Sequence, residues 1–181
     1  MRITISGKYS FTDRLKVVGD LTLRIASSNH MPSILANSKY GLVPEFDIYG
    51  RLKLTPRAFD FGLQLGLTSV YSFDYDLTAN AVKNSIFIGI GLYMDTYIVP
   101  GFKVYMDVKF PFARVIYNTT SEALDITSIP AFGMEVKLGF KFDIGERTNI
   151  GIETEISNMP KAFGTEQGAA FNVGVALGFV F

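Results

Sequence analysis

Cysteine is absent from this chain of 181 residues, which excludes disulfides, zinc ribbons and thiol catalysis. Tryptophan is absent as well, and there is one histidine, too few ligands for an ordinary transition-metal site. Neither sign of charge is in excess: 17 Lys and Arg balance 17 Asp and Glu, and no run of like charge offers a footprint for nucleic acid. No apolar stretch approaches the roughly 18 to 20 residues of a membrane-spanning helix; the longest candidate, residues 86–94, is punctuated by Gly89 and Gly91. No HExxH, GxSxG, P-loop or dinucleotide fingerprint is present. A charged-then-apolar leader is not visible either, because strand-like alternation starts almost at Met1,.

What the chain has in quantity is alternation. Apolar and polar residues exchange with period two along nearly its whole length, the mark of strands with one apolar and one polar face. Ile3, Ile5 and Tyr9 oppose Thr4, Ser6 and Lys8; Leu21, Leu23 and Ile25 oppose Asp20, Thr22 and Arg24. Phe46, Ile48, Leu52 and Leu54 oppose Asp47, Tyr49, Arg51 and Lys53; Phe59, Phe61, Leu63, Leu65 and Leu67 oppose Asp60, Gly62, Gln64, Gly66 and Thr68. Ile86, Ile88, Ile90, Leu92 and Met94 oppose Phe87, Gly89, Gly91, Tyr93 and Asp95; Phe102, Val104, Met106, Val108 and Phe110 oppose Lys103, Tyr105, Asp107 and Lys109. Met134, Val136, Leu138, Phe140 and Phe142 oppose Glu135, Lys137, Gly139 and Lys141, and Ile150, Ile152 and Ile156 oppose Gly151, Glu153 and Glu155. The last run sets Phe171, Val173, Val175, Leu177, Phe179 and Phe181 against Asn172, Gly174, Ala176, Gly178 and Val180. No helical period competes, and no change of composition marks a boundary, so residues 1–181 read as one all-β domain built from hairpins.

Connections alternate in length. Residues 55–57, 95–101 and 143–147 are short, with Pro56 supplying a fixed φ, whereas 27–44, 72–84, 118–130 and 157–168 are longer and richer in Ser, Thr, Asn and Pro,. Short turns at one end and long loops at the other are the pattern of outer-membrane barrels.

A soluble sandwich would also alternate. Four features favour a barrel in lipid. Gly62, Gly66, Gly89, Gly91, Gly139, Gly151, Gly174 and Gly178 all sit on the polar face. A solvated face gains nothing from them, whereas the crowded inside of a narrow barrel needs small residues beside large ones. Runs of about 10 residues, tilted by roughly 40°, cross an apolar band of about 25 Å. Tyr71, Phe73, Phe112 and Tyr117 lie toward the long loops and Phe59, Tyr97, Phe102 and Phe142 toward the short turns, as two aromatic girdles would. Finally, Phe171, Val173, Val175, Leu177, Phe179 and Phe181 alternate to the end of the chain. This resembles the terminal-strand signal that outer-membrane assembly machinery reads, and the chain as a whole resembles the small outer-membrane barrels of the OmpA, OmpX or OmpW type. The resemblance implies a closed antiparallel transmembrane β-barrel in the bacterial outer membrane, with short periplasmic turns, longer extracellular loops, a signal peptide already removed, and the lipid bilayer and the assembly machinery as partners.

The alternating runs number nine, whereas bacterial single-chain barrels have even numbers of strands. A tenth strand within residues 33–42, where Ile34, Ala36, Tyr40 and Leu42 alternate imperfectly, would resolve this. So would a strand preceding Met1, or a first run standing outside an eight-strand barrel. Ten strands is the expectation, with eight the alternative.

In such a barrel the polar face lines the lumen, which would hold Lys8, Arg24, Arg51, Lys53, Lys103, Lys109, Lys137 and Lys141 against Asp20, Asp47, Asp60, Asp107, Glu135, Glu153 and Glu155. Unpaired buried charge is expensive, so an interleaved network is expected. Arg51 or Lys53 should lie opposite Asp60 across the 55–57 turn, and Lys137 opposite Glu153 or Glu155 across the 143–147 turn. The network either fills the barrel, making the protein a structural element or a presenter of surface loops to an extracellular ligand, or it lines a narrow path for small solutes or ions. Glu153 and Glu155 share one strand face and cannot flank a glycosidic bond from two sides, so they read as partners of lysines. His30, in Ser27-Ser28-Asn29-His30-Met31, raises a third reading, lipid A modification, but spacing fixes no partner acid and a solvated loop histidine is the plainer account. Asp74, Asp76 and Asp125 could bind a divalent cation or simply keep loops soluble; Asn118-Thr119-Thr120 matches a glycosylation acceptor by motif alone; and outward Gly50 and Ser69 are weak markers of a protein contact. The expectation is a non-enzymatic barrel without cofactor, metal or nucleic acid.

Overall fold

The computed structural model describes residues 2–27, 40–55, 59–76, 79–118, 123–128, 133–157 and 170–180. Among the described residues the elements are all strands: β1 (Arg2–Ser10), β2 (Leu15–Ser27), β3 (Tyr40–Lys53), β4 (Asp60–Asp76), β5 (Ala79–Val99), β6 (Phe102–Asn118), β7 (Ala123–Ser128), β8 (Glu135–Asp143), β9 (Thr148–Ser157) and β10 (Ala170–Val180). Consecutive strands pair antiparallel from β1 to β6, then β6 with β8, β8 with β9 and β9 with β10. The ring closes where β10 meets β1, and there the strands are parallel, in register from Arg2↔Gly174 to Lys8↔Val180.

The closed barrel therefore has nine strands, neither ten nor eight, and is mixed rather than purely antiparallel. The even-number expectation fails for a simple reason. Hairpin connections reverse direction at each step, so an odd number leaves the first and last strands pointing the same way, and parallel pairing is then the only closure open to them. The nine alternating runs are the nine barrel strands, β1 included. Of the segment suspected of hiding a tenth, residues 40–42 belong to β3 and 33–39 lie outside the described residues.

Short turns gather at one end. Thr12 Oγ1 accepts the amide of Leu15 at 2.9 Å, a local cap that competes well with extended structure. Gly101 takes φ +78°, which only glycine adopts without strain, and so joins β5 to β6 in a tight reversal. At the other end two expected loops are partly strand. Most of 72–84 forms the arms of the β4–β5 hairpin, paired as far as Asp76↔Ala79. Within 118–130, β7 pairs with the upper part of β6, Ala113↔Ser128 to Asn118↔Ala123. β6 can serve both neighbours because β8 occupies its lower part, Phe102 to Lys109. Between them the register shifts at Gly89/Pro111, a bulge where proline, lacking an N–H, is tolerated.

The wall is inverted relative to a protein dissolved in water. Among the described residues seven hydrophobic side chains are buried against eighteen polar or charged ones, so the interior is not an oily core. Leu65 is 58% exposed, Ile152 48%, Ile90 54% and Val173 49%, and similar residues cover the outside of every barrel strand. Thr154 is a polar residue at a β9 position in phase with this outer set, and its hydroxyl donates to the Leu138 carbonyl at 3.3 Å. At the turn end Phe102, Phe140 and Phe142 form a cluster, with Phe102 and Phe142 ring centres 4.9 Å apart. Phe59 and Tyr97 are exposed at the same end, and Phe112 is exposed at the bulge. The side chains of Tyr71, Phe73 and Tyr117 lie outside the described residues. Ser69, read as outward, is 7% exposed in spite of its phase.

The charged lumen as candidate functional site

The lumen is built from the alternate residues that face inward. Register sets its layers. Tyr93, Asp107, Lys137 and Glu155 are successive partners across β5, β6, β8 and β9. Gly91, Lys109, Glu135 and Ser157 form the neighbouring layer toward the loops. Lys103 and Lys141 face each other nearer the turns.

Across these layers the side chains join opposite walls. Lys137 on β8 donates to Asp47 Oδ2 on β3 at 2.9 Å, and Lys109 on β6 reaches the same oxygen at 3.0 Å. Asp47 also accepts from Thr68, which in turn contacts the Tyr49 hydroxyl at 2.9 Å. Lys109 Nζ lies 4.4 Å from the centre of the Tyr49 ring. Arg51 donates to Asp107 at 2.5 Å and to Gln64 at 3.0 Å. Glu153 accepts from Thr4 and from Tyr105, each at 2.5 Å. Because β3 and β8 stand on opposite sides of the ring, the Lys137–Asp47 pair spans the bore. Glu45, Glu135 and Glu155 show no exposure, Lys137 and Asp47 1% each, so these charges are shut off from solvent inside the barrel.

Three carboxylates, Glu45, Glu135 and Glu155, bring one oxygen each within 4.8 Å of the others. A hard cation accepts such donors, but the ammonium groups of Lys109 and Lys137 already stand 3.2 and 3.6 Å from Glu135 and supply positive charge there.

Of the residues singled out by sequence, Asp47, Arg51, Asp60, Asp107, Lys109, Glu135, Lys137, Glu153 and Glu155 are buried within the barrel; Lys53, Lys103 and Lys141 are half-buried toward the turns. Arg24 lies on β2, in register with Arg2 and Val43, and its side chain is outside the described residues. Lys137 is opposite Glu155. The expected pairing of Asp60 with Arg51 or Lys53 does not occur. The register puts Gln64 opposite Arg51 and Gly62 opposite Lys53, so Asp60 binds Lys16 from β2 and the Tyr93 hydroxyl at 2.9 Å. Val173, Val175 and Phe179 of the terminal-strand pattern are exposed on the outer wall, and Leu177 half so. The side chain of Phe171, and Phe181 altogether, lie outside the described residues, as does His30. Asp74, Asp76 and Asp125 fall in β4 and β7 rather than in loops, their side chains likewise outside the description.

Sequence reasoning missed Lys16 and Glu45. Both continue the inward phase of the strands that carry them: Glu45 precedes Asp47, Tyr49 and Arg51 by the same period, but Pro44 gave the appearance of a loop. It also placed Tyr49, Tyr93 and Tyr105 on the polar face but gave them no partners. Tyr49, Tyr93 and Tyr105 each lie beside a glycine on the adjoining strand, Gly66, Gly62 and Gly139. A Cβ on Gly139 would stand 2.6 Å from the Tyr105 ring, so that glycine is the space the ring occupies.

No protein-family model matches the chain, and no curated protein matches it.

Proposed function

We propose that the protein is an integral outer-membrane barrel with a closed lumen, acting as a structural element or as a carrier of surface loops. The observation that carries this reading is the inversion of burial: charged residues within, large aliphatic and aromatic residues without. A belt of this size exceeds the patches a water-soluble monomer exposes. In lipid the same belt is favourable, by about 1.5–3 kcal/mol for each large apolar side chain removed from water. A closed ring of hydrogen-bonded strands leaves no unpaired backbone edge along its wall, the condition for crossing hydrocarbon. In this reading the tight turns face the periplasm and the longer connections face outward, and the Phe102–Phe140–Phe142 cluster anchors one lipid–water boundary.

The absence of tryptophan makes the placement simple to test. Leu65→Trp puts one indole on the outer wall, and Ile144→Trp puts one in a turn. After reconstitution, lipids brominated deep in the acyl chain should quench the first strongly and the second weakly. Equal, weak quenching of both would sink the membrane reading.

The second reading, a narrow pore, is favoured by one observation: a cavity of about 60 Å³ at the turn end of the lumen, with Lys8, Asp95, Lys103 and Asp107 among the residues that line it. Planar-bilayer recordings of the folded protein separate the two. Silence agrees with a closed lumen, since Lys137, Lys109 and Asp47 block the bore beyond that cavity; reproducible conductance steps that change in Lys137→Glu would make transport the function.

A further inference from the structure

The cavity at the turn end is more than a gap between paired charges. Most of the charges around it are satisfied. Lys103 contacts Asp95 at 2.7 Å and Lys8 the same carboxylate at 3.6 Å; Arg51 holds Asp107; Lys137 is drawn away to Asp47; and Glu153 accepts Thr4 and Tyr105. Two lining groups are left over, of opposite sign. Among the described residues no carboxylate comes within salt-bridge distance of Lys141, whose ammonium rests 4.8 Å from the centre of the Tyr105 ring. Asp20 Oδ1 is buried without a hydrogen-bond partner, and so is Oδ1 of Asn149, itself 8% exposed.

Register explains why these groups meet. Asp20, Ser6, Gly178 and Asn149 are successive partners across β2, β1, β10 and β9, so they form one row that crosses the parallel seam. The two middle members are small. Gly178 leaves the space that Asn149 leans into, oxygen first: a Cβ there would collide with the amide oxygen. Asp143 is directly opposite Asn149, which puts Lys141, two residues earlier on β8, on the diagonal beside the same amide. The row thus sets acceptor oxygens at its two ends, on Asp20 and Asn149, with the small Ser6 and Gly178 between them and the Lys141 ammonium on the strand beyond Asn149. Lys8 keeps 22% of its side-chain surface exposed, so the cavity is open to solvent at the turn end.

From this arrangement we infer that the cavity is a binding site for a small zwitterion, an α-amino acid of the size of glycine or alanine, its carboxylate on Lys141 and its ammonium on Asp20 and Asn149. A net ion would satisfy one leftover group and leave the other without a partner in a poorly solvated space, which is costly. A zwitterion satisfies both and adds no net charge. Charge-assisted hydrogen bonds at each end fix its orientation. The inference does not rest on the membrane reading and can fail without it, because the site can be titrated in detergent.

The test is calorimetric titration of the folded full-length chain with glycine, alongside sodium acetate and methylammonium chloride as single-charge controls. Saturable binding of glycine, at least about tenfold tighter than either control, is expected, and Asp20→Asn and Lys141→Met should each weaken it by about tenfold or more. Circular dichroism establishes that each variant is folded. If either variant does not fold, the wild type carries the test: glycine must shift the Asn149 side-chain amide resonances in a saturable way while leaving those of Gln64 unmoved. No saturable binding to folded protein would mean that the cavity holds water only, and overturns the inference. Glycine binding that survives both substitutions, or acetate or methylammonium binding as tightly as glycine, overturns it equally.

Discussion

Asp47 is the residue on which the charged network converges, since two ammonium groups and a hydroxyl share its carboxylate. Removing one partner of a buried pair costs more than the pair is worth, because the remaining charge stays buried. Lys137→Met should therefore destabilise the folded barrel by about 3–5 kcal/mol, read from urea unfolding in detergent or bilayer. Adding Asp47→Asn to that variant should return part of the loss, and a double-mutant cycle isolates the coupling; strictly additive losses would show that the pair contributes nothing of its own. At the Tyr105–Gly139 contact, Gly139→Ala forces the ring from its place and should cost about 1–3 kcal/mol as overpacking, with loss of the Tyr105–Glu153 hydrogen bond visible as a change in tyrosine absorbance.

At the scale of the strand, the parallel seam is the feature that most needs a direct test, and the lack of cysteine supplies a clean background. Ile5 and Leu177 are register partners across β1 and β10. Ile5→Cys with Leu177→Cys should form a disulfide on mild oxidation, since directly paired strands bring Cα atoms within the range of about 4.4–6.8 Å that the bond requires. Ile5→Cys with Val173→Cys, offset along β10, should not. Cross-linking of the second pair rather than the first would refute the nine-strand closure. Every barrel strand was legible in the sequence, because period two is imposed directly by a wall with an apolar outside and a polar inside. Closure was not legible. Alternation tells which face a residue takes, not which strand it neighbours, and a rule drawn from antiparallel barrels outweighed the nine runs that could be counted. Partners were legible only where a turn fixed them, as for Lys137 and Glu155. Asp60 was misassigned because the hairpin register shifts its opposite position beyond Lys53, and because Lys16 arrives from β2, two strands away from β4. Residues that join distant walls, such as Asp47 with Lys109, leave no local mark at all.

For the molecule as a whole, the charge that fills the lumen sets its response to salt and to substitution. Exposed pairs are screened over a Debye length of roughly 8–10 Å at ordinary ionic strength, but buried ones much less. Stability should change little between roughly 0.1 and 1 M sodium chloride, as chemical unfolding would show; a steep loss would mean that water and ions reach the network freely. Because both Lys109 and Lys137 cross to Asp47, neither single substitution by serine should open a path, whereas the double variant should give small conductance steps in a planar bilayer. The parallel closure has a further consequence, in the order of folding. All other strand pairs in the ring join segments that follow one another around it, but the seam joins the first strand to the last. Contacts between distant parts of a chain form slowly, so the hairpins are expected to assemble while β1 still waits for β10. Substitutions at Ile5 or Leu177 should then change the rate of the final joining step and leave the earlier hairpin phases as they were.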